Sequence, residues 1–235
     1  MDLALNGSVV LVTGGARGVG LGITRAFLSA GATVVICARH EPEEPTGAEF
    51  LPCDVRDPDQ VDALVTTITS RFGRLDVLVN NAGGSPPADA DTASPRFHEA
   101  IVRLNLLAPL LVAQRANQVM QTQDTGGVIV NISSEAAFRP APTVAAYGAA
   151  KAGVNSLTST LAVEWAPKVR VNAVAAGMVR TELTTEMYGD WSESIPLGRL
   201  AEPGEIGACA VFLASPLASY VSGATLLVHG GGSRG

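Results

Sequence analysis

Seven short apolar runs set the frame of this chain. They fall at 9–12, 33–37, 49–53, 75–79, 128–132, 169–174 and 224–228. Each is rich in valine, isoleucine and leucine without strict alternation, the pattern of strands buried on both faces of a parallel sheet. Parallel neighbours need long crossovers, usually helices, and helical segments lie between most of the runs. Asp57-Pro58 and Ser94-Pro95 each place a capping side chain before a proline at the first helical position. Pro203 opens a further helix predicted to run to about Ala214. Alternating strands and helices specify a doubly wound α/β fold. The exception is 40–48, which holds Pro42 and Pro45 and is too short for a crossover helix. A loop or single turn is predicted there.

Composition narrows the reading. At 235 residues the chain is expected to form one domain, 1–235. Apolar residues make up 47% and charged residues 16%, with a net charge of −6, so no basic patch is expected to hold nucleic acid or an anionic membrane. The first residues lack the basic region and apolar core of a signal peptide. The longest apolar stretch, 101–113, is broken by Arg103, Asn105 and Pro109, so it is no membrane span. Cys37, Cys53 and Cys209 fit neither a zinc site nor a C-x-x-C motif and read as small core residues in a reducing cytoplasm. His40, His98 and His229 are scattered, so no metal site is expected. No Gly-x-Ser-x-Gly elbow precedes a predicted helix, so a serine hydrolase is not expected.

Thr13-Gly14-Gly15-Ala16-Arg17-Gly18-Val19-Gly20 leaves the first strand and enters the first helix. Glycines at 14, 18 and 20 let the backbone turn tightly and approach a pyrophosphate, while the helix N-terminus offers unpaired N–H groups and a positive dipole end. An NAD site of this kind has an acid about 20 residues beyond the glycines. Here that place reads Cys37-Ala38-Arg39. Arg39, helped by Arg17, suits a 2′-phosphate instead, so NADP is the expected cofactor and NAD the alternative. The bland reading is two solvated arginines. Asp54-Val55 and Asn80-Asn81-Ala82-Gly83 end the third and fourth strands, on the carboxyl edge where such folds bind ligands. Asp54 is placed to accept from an adenine amino group.

Ser134 ends the fifth strand, and Tyr147 and Lys151 stand four apart at the start of an alanine-rich helix, on one face. A phenol titrates near ~10, and bringing that to ~7 takes roughly 4 kcal/mol. One cation about 4 Å away supplies about that much at an effective dielectric of ~20. Such a pair can move a proton near neutral pH.

In order along the chain, these motifs resemble those of the short-chain dehydrogenase/reductase family in its compact branch. The matches are Thr13-Gly14-x-x-x-Gly18-x-Gly20, Asp54, Asn80-Asn81-Ala82-Gly83, Asn105, Ser134 and Tyr147-x-x-x-Lys151. They continue through Asn172-Ala173-Val174-x-x-Gly177 with Thr181, Pro196-Leu197-Gly198-Arg199, Ser222-Gly223 and Gly230-Gly231. The resemblance implies a seven-stranded Rossmann fold and hydride transfer between a nicotinamide cofactor and a carbonyl or secondary alcohol. Tyr147 would be the catalytic acid/base, Ser134 would bond the substrate oxygen, and Lys151 would lower the tyrosine pKa and hold the nicotinamide ribose. Asn105 would hold a water in a proton relay behind the lysine, with Pro109 bending its helix. Ser133 does not fit the spacing. The cofactor would rest on Gly14, Arg17, Gly18, Val19 and Gly20, on Arg39, on Asp54 and Val55, and on Asn81, Ala82 and Gly83. Beyond the sixth strand it would meet Gly177, Val179 and Thr181.

The sequence departs from the family pattern at Ala176, where proline is usual, at the short 40–48 connection, and at His229, where an acid is common. Met178, Leu183, Met187, Tyr188 and Trp191 suggest an apolar substrate wall within a mobile 181–195 segment. The helices at 95–120 and 147–165 carry few charges and, by resemblance, pair across a two-fold axis in a homotetramer of 222 symmetry. An NAD-dependent relative and a cofactor-binding regulator without turnover are the other readings. The intact Asn105, Ser134, Tyr147 and Lys151 argue against the second.

Overall fold

The computed structural model describes residues 3–184 and 192–232. All seven apolar runs form strands of one sheet. They are β1 (Val9–Thr13), β2 (Thr33–Ala38), β3 (Glu49–Pro52), β4 (Val77–Asn80), β5 (Gly127–Ser134), β6 (Val169–Ala176) and β7 (Thr225–Val228). Their spatial order is β3-β2-β1-β4-β5-β6-β7, and every neighbouring pair is parallel. The doubly wound Rossmann-type fold expected from the pattern is therefore present. The order reverses between β1 and β4, and the crevice outside their carboxyl ends is where such sheets bind ligands.

The helices are α1 (Gly18–Ser29), α2 (Pro58–Phe72), α3 (Pro95–Val102), α4 (Ala108–Met120), α5 (Ala145–Glu164) and α6 (Pro203–Ala214). Helices cover both faces of the sheet, which explains the unalternating strands. Val9 and Leu11 enter the core shared with α2, α4 and α5, while Val10 and Val12 enter the one shared with α1 and α6. The caps follow the sequence. Asp57 accepts from the amides of Asp59 and Gln60, Ser94 accepts from Phe97, and Glu202 and Glu205 form a capping box at α6. The 40–48 segment runs as bends and open loop, as its prolines require.

The stretch between α3 and α4 is wound more loosely than a simple bend. Arg103–Leu107 forms a π turn. Pro109 has no N–H to give the Asn105 carbonyl four residues back, so the regular ladder cannot close there. The turn places Asn105 fully inside the fold.

Candidate active site

The glycine turn sits at the switch point. Gly14 has φ 64° and gives its N–H to the Cys37 carbonyl at 2.8 Å. A Cβ at Gly20 would lie 2.1 Å from the Gly14 oxygen, so the turn closes only without a side chain there. Arg17 holds the cap position of α1 in extended backbone and makes no side-chain cap. The first-turn amides, Val19 and Gly20 among them, are thus left for an anion, as a pyrophosphate cradle requires.

The Asn80–Gly83 motif braces this cradle. Asn81 Nδ2 donates to the carbonyls of Thr13 (2.9 Å) and Gly14 (3.1 Å), and Thr13 Oγ1 accepts from the amides of Asn81 and Ala82, each at 3.0 Å. Asn80 Nδ2 donates to Pro109 O and to Asn131 Oδ1, both at 3.0 Å, and Asn131 Nδ2 donates to Thr158 Oγ1 at 2.9 Å. This buried chain ties β4 and β5 to α4 and α5. The two adjacent amides therefore serve different neighbours, one on each side of the strand end.

At the adenosine side, Arg39 lies just past β2 and is exposed. Asp54 lies just past β3, and its carboxylate is gripped by Arg56: Nε reaches Oδ1 at 2.8 Å and Nη2 reaches Oδ2 at 2.6 Å. The Arg56 guanidinium holds the Asp54 carboxyl down at about 2. Val55 buries its side chain in the core and leaves its backbone at the edge.

The four residues expected to do chemistry stand on elements that meet at the carboxyl ends of β4 and β5. Ser134 is the last residue of β5, and its Oγ accepts from the Ala136 amide at 3.2 Å. The first turn of α5 packs on the 3₁₀ turn Glu135–Ala137 that follows, so closely that a Cβ at Gly148 would lie 2.9 Å from the Ala136 oxygen. Tyr147 and Lys151 lie on successive turns of α5, with the ammonium 5.6 Å from the tyrosine ring centroid. Lys151 is buried, its Nζ donates to the Ile132 carbonyl at 2.8 Å, and burial pushes its pKa down to about 8. Asn105 is clamped to the loop after β4: Oδ1 accepts from Gly84 N at 2.8 Å, and Nδ2 donates to Gly84 O at 2.9 Å and Ile101 O at 3.0 Å. A Cβ at Gly83 would stand 2.6 Å from Asn105 Oδ1 and 3.3 Å from Lys151 Nζ, so this glycine lets loop, amide and ammonium meet.

The segment after β6 closes the cleft. β6 continues through Ala176, opposite Ser134 on one side and Val228 on the other, and Gly177 donates to Val228 O at 2.9 Å. Val179 is buried and bridges Ala201. Thr181 returns to the glycine turn, with its methyl carbon 3.4 Å from where a Cβ of Gly18 would be. Of the expected apolar wall, Met178 and Leu183 are described and Leu183 is exposed; Met187, Tyr188 and Trp191 lie outside the described residues. His229 Nδ1 accepts from the Gly231 amide at 3.2 Å and has no place in this cluster.

A sequence-family profile described as enoyl-(acyl carrier protein) reductase matches residues 14–233. The L-fucose dehydrogenase of Oryctolagus cuniculus is 39% identical over 97% of this chain and 86% of its own length. The chain belongs to the short-chain dehydrogenase/reductase family. The D-threitol dehydrogenase of Mycolicibacterium smegmatis is a further relative of this short-chain dehydrogenase/reductase, 37% identical over 98% of the chain and 94% of its own length. The ligand-free aldohexose dehydrogenase of Thermoplasma acidophilum superposes with a TM-score of 0.92 at 31% identity, covering 98% of this chain and 96% of that one. The enzyme is an oxidoreductase of the NAD(P)-using class that acts on CH–OH groups.

One residue of this dehydrogenase/reductase was passed over in the sequence, and another, set aside there for its spacing, has a structural role. Arg56 was legible as the arginine of an Asp-x-Arg turn ahead of the Asp57-Pro58 cap. Ser133 alternates with Ser134, so it faces α5 while Ser134 ends the strand, and its hydroxyl donates to the Lys151 carbonyl at 3.3 Å.

Proposed function

We propose that this enzyme transfers hydride between NADP(H) and a carbonyl or secondary alcohol, with Tyr147 as the proton donor and acceptor. The observation that carries the reading is the buried Lys151 ammonium beside the Tyr147 ring. A cation in a dry site favours the phenolate, so the tyrosine can take or give a proton near neutral pH. Ser134, next to the first turn of α5, would hold the substrate oxygen by hydrogen bond and orient it toward Tyr147. Asn105 would keep the route behind Lys151 open. Its side chain fixes the 83–84 loop, and its carbonyl, which Pro109 cannot satisfy, is suited to hold a water.

A nicotinamide dinucleotide supplies the hydride when bound, and the residues fit one. The tight turn at Gly14 would let the pyrophosphate approach, and the amides of Gly18, Val19 and Gly20 would hold it. Asp54 and Val55 would meet the adenine, and Asn81, Ala82 and Gly83 the sugars. Lys151 would hold the nicotinamide ribose, and Gly177, Val179 and Thr181 would border the ring. Arg17 and Arg39 would take the 2′-phosphate of NADP. Both are exposed and their guanidiniums make no hydrogen bond or salt bridge with the described residues, while Ala38 offers no carboxylate to repel a phosphate. We read the chain as one domain, working in the cytoplasm as a homotetramer on a small molecule, without nucleic acid or membrane. No described helix is long and apolar enough to cross a membrane.

Tyr147→Phe tests the chemistry. Turnover should fall by about 10²–10⁴-fold, with cofactor binding, followed by fluorescence titration, retained. A purified variant with near wild-type turnover would refute the acid/base assignment. A wild-type enzyme with the lower KM for NADH would refute the NADP part alone.

A further inference from the structure

We propose that Arg56 is a cofactor-selectivity residue: it cancels the charge of Asp54, so that Arg17 and Arg39 face a 2′-phosphate without an opposing carboxylate. This deepens the NADP(H) reading and rests on it. The geometry comes from two adjacent strand ends. Ala38 pairs with Pro52, and the Cys53 amide donates to the Ala38 carbonyl at 2.9 Å. Arg39 and Asp54, each the next residue along, therefore leave the sheet side by side, and the charge of Arg39 is felt at the Asp54 carboxyl.

An acid at this edge acts on a phosphate as an acid at the end of β2 does, by repulsion. Asp54 cannot escape that by taking up a proton, because an aspartate is ionised at neutral pH even without a cationic partner. Its charge has to be matched, and Arg56 matches it on both oxygens. Nε lies 2.8 Å from Oδ1 and 3.2 Å from Oδ2, Nη2 lies 2.6 Å from Oδ2, and the Arg56 amide donates to Oδ1 at 3.0 Å. A planar fork on a carboxylate is the geometry that neutralises it most completely. Neighbouring bonds fix the pair. The Asp54 amide donates to Gln60 Oε1 at 2.9 Å, and the Arg56 carbonyl accepts from Arg103 Nη2 at 3.2 Å. Besides the Arg103 guanidinium, acidic side chains lie on the segments that leave these two strands. Asp57 caps α2, and Glu41, Glu43 and Glu44 stand exposed in the 40–48 loop. On an edge whose flanking segments carry these acids, one more unmatched carboxylate would weaken a dianion's hold.

Calorimetric titration with 2′,5′-ADP and with 5′-AMP, which differ only in the 2′-phosphate, reads this without any hydride transfer. The quantity of interest is the ratio of the two affinities, in wild type, Arg56→Gln, Asp54→Asn and the double variant, with thermal melts to confirm folding. Uncovering one unit charge beside a dianion is expected to lower the ratio in Arg56→Gln roughly five- to tenfold at low salt. The effect should shrink at high salt. Asp54→Asn alone frees Arg56 and should raise the ratio, and the double variant should return it close to wild type. An unchanged ratio in Arg56→Gln, or an equal loss of both nucleotides, would make the pair a purely structural turn and overturn the proposal. A wild-type enzyme that binds 5′-AMP more tightly than 2′,5′-ADP would sink the NADP(H) reading itself, whereas Arg56 is judged by how the ratio moves between variants.

Discussion

Lys151 shows how a functional side chain can work against the fold that holds it. Its folded pKa of about 8 lies below the ordinary value of 10.5, and the first cause is burial. Below pH 8 the folded state carries a buried ammonium at a penalty. Between 8 and 10.5 the unfolded chain binds more protons than the folded one, so this residue makes stability rise with pH. The penalty at neutral pH is about 3 kcal/mol, and losing the bond to Ile132 would give back about 1. Lys151→Met is therefore expected to raise Tm at pH 7 by about 4–8 °C while abolishing turnover. The advantage should fade in melts near pH 10, and a lower Tm at pH 7 would contradict the buried-charge account. Thr143 bears strain of another kind. It is β-branched at φ 68°, and its carbonyl accepts from the Ala88 amide at 2.8 Å, joining the loop after β4 to the lead-in of α5. Thr143→Gly keeps that bond, relieves the backbone and should stabilise by up to about 1 kcal/mol in urea unfolding. A lower midpoint would mean that the threonine side chain contributes more than its backbone costs. The pairing of Tyr147 with Lys151 was legible in the sequence, because helical spacing alone puts them on one face. The burial that shifts the lysine was not, because it depends on Gly83 and Asn105 arriving from β4 and the π turn.

At the level of elements, the strands and caps follow from local rules. Continuous apolar runs, a capping side chain before proline and proline-rich brevity at 40–48 each found their expected structure. The π turn was foreseen only as a bend, because a missing N–H removes a bond without saying how the ladder reforms. Contacts between helices were not legible either. α1 meets α6 so closely that a Cβ at Gly22 would lie 2.4 Å from the Pro203 carbonyl carbon. Backbone cannot yield as a side chain tip does. Gly22→Ala is expected to cost about 1–3 kcal/mol and to weaken cofactor binding, since α1 carries the glycine turn at its N-terminus. A variant as stable as wild type would show that α6 can slide away.

For the whole molecule, the apolar surface left outside the two cores is the feature to explain. Leu107 and Val163, on the α4 and α5 side, are 52% and 80% exposed, and Leu226 and Leu227 of the edge strand β7 lie open, as does Tyr220 just before it. Unblocked edge strands and apolar helix faces invite pairing with another copy. Our homotetramer proposal covers both surfaces, and light scattering at micromolar concentration should return about four times the chain mass of 24.1 kDa. A monomer mass would rule it out. Val163→Glu should split the assembly into smaller species.

The sequence by itself determined the strand set, the doubly wound order of elements and the family, because each rests on periodicity or on residues a few positions apart. It also placed Ser134, Tyr147 and Lys151 at the same edge, since strand ends and helix starts share that edge in a parallel sheet, while Asn105 was reached only through the family resemblance. Only the tertiary structure decided what each polar group is bonded to. Asn81 spends its amide on the glycine turn, Asn80 on a chain running to Thr158, and Asp54 on Arg56. Hydrogen bonds are short and directional, so their partners depend on which loops lie within about 3 Å, and that is settled by packing across the sheet rather than by order along the chain.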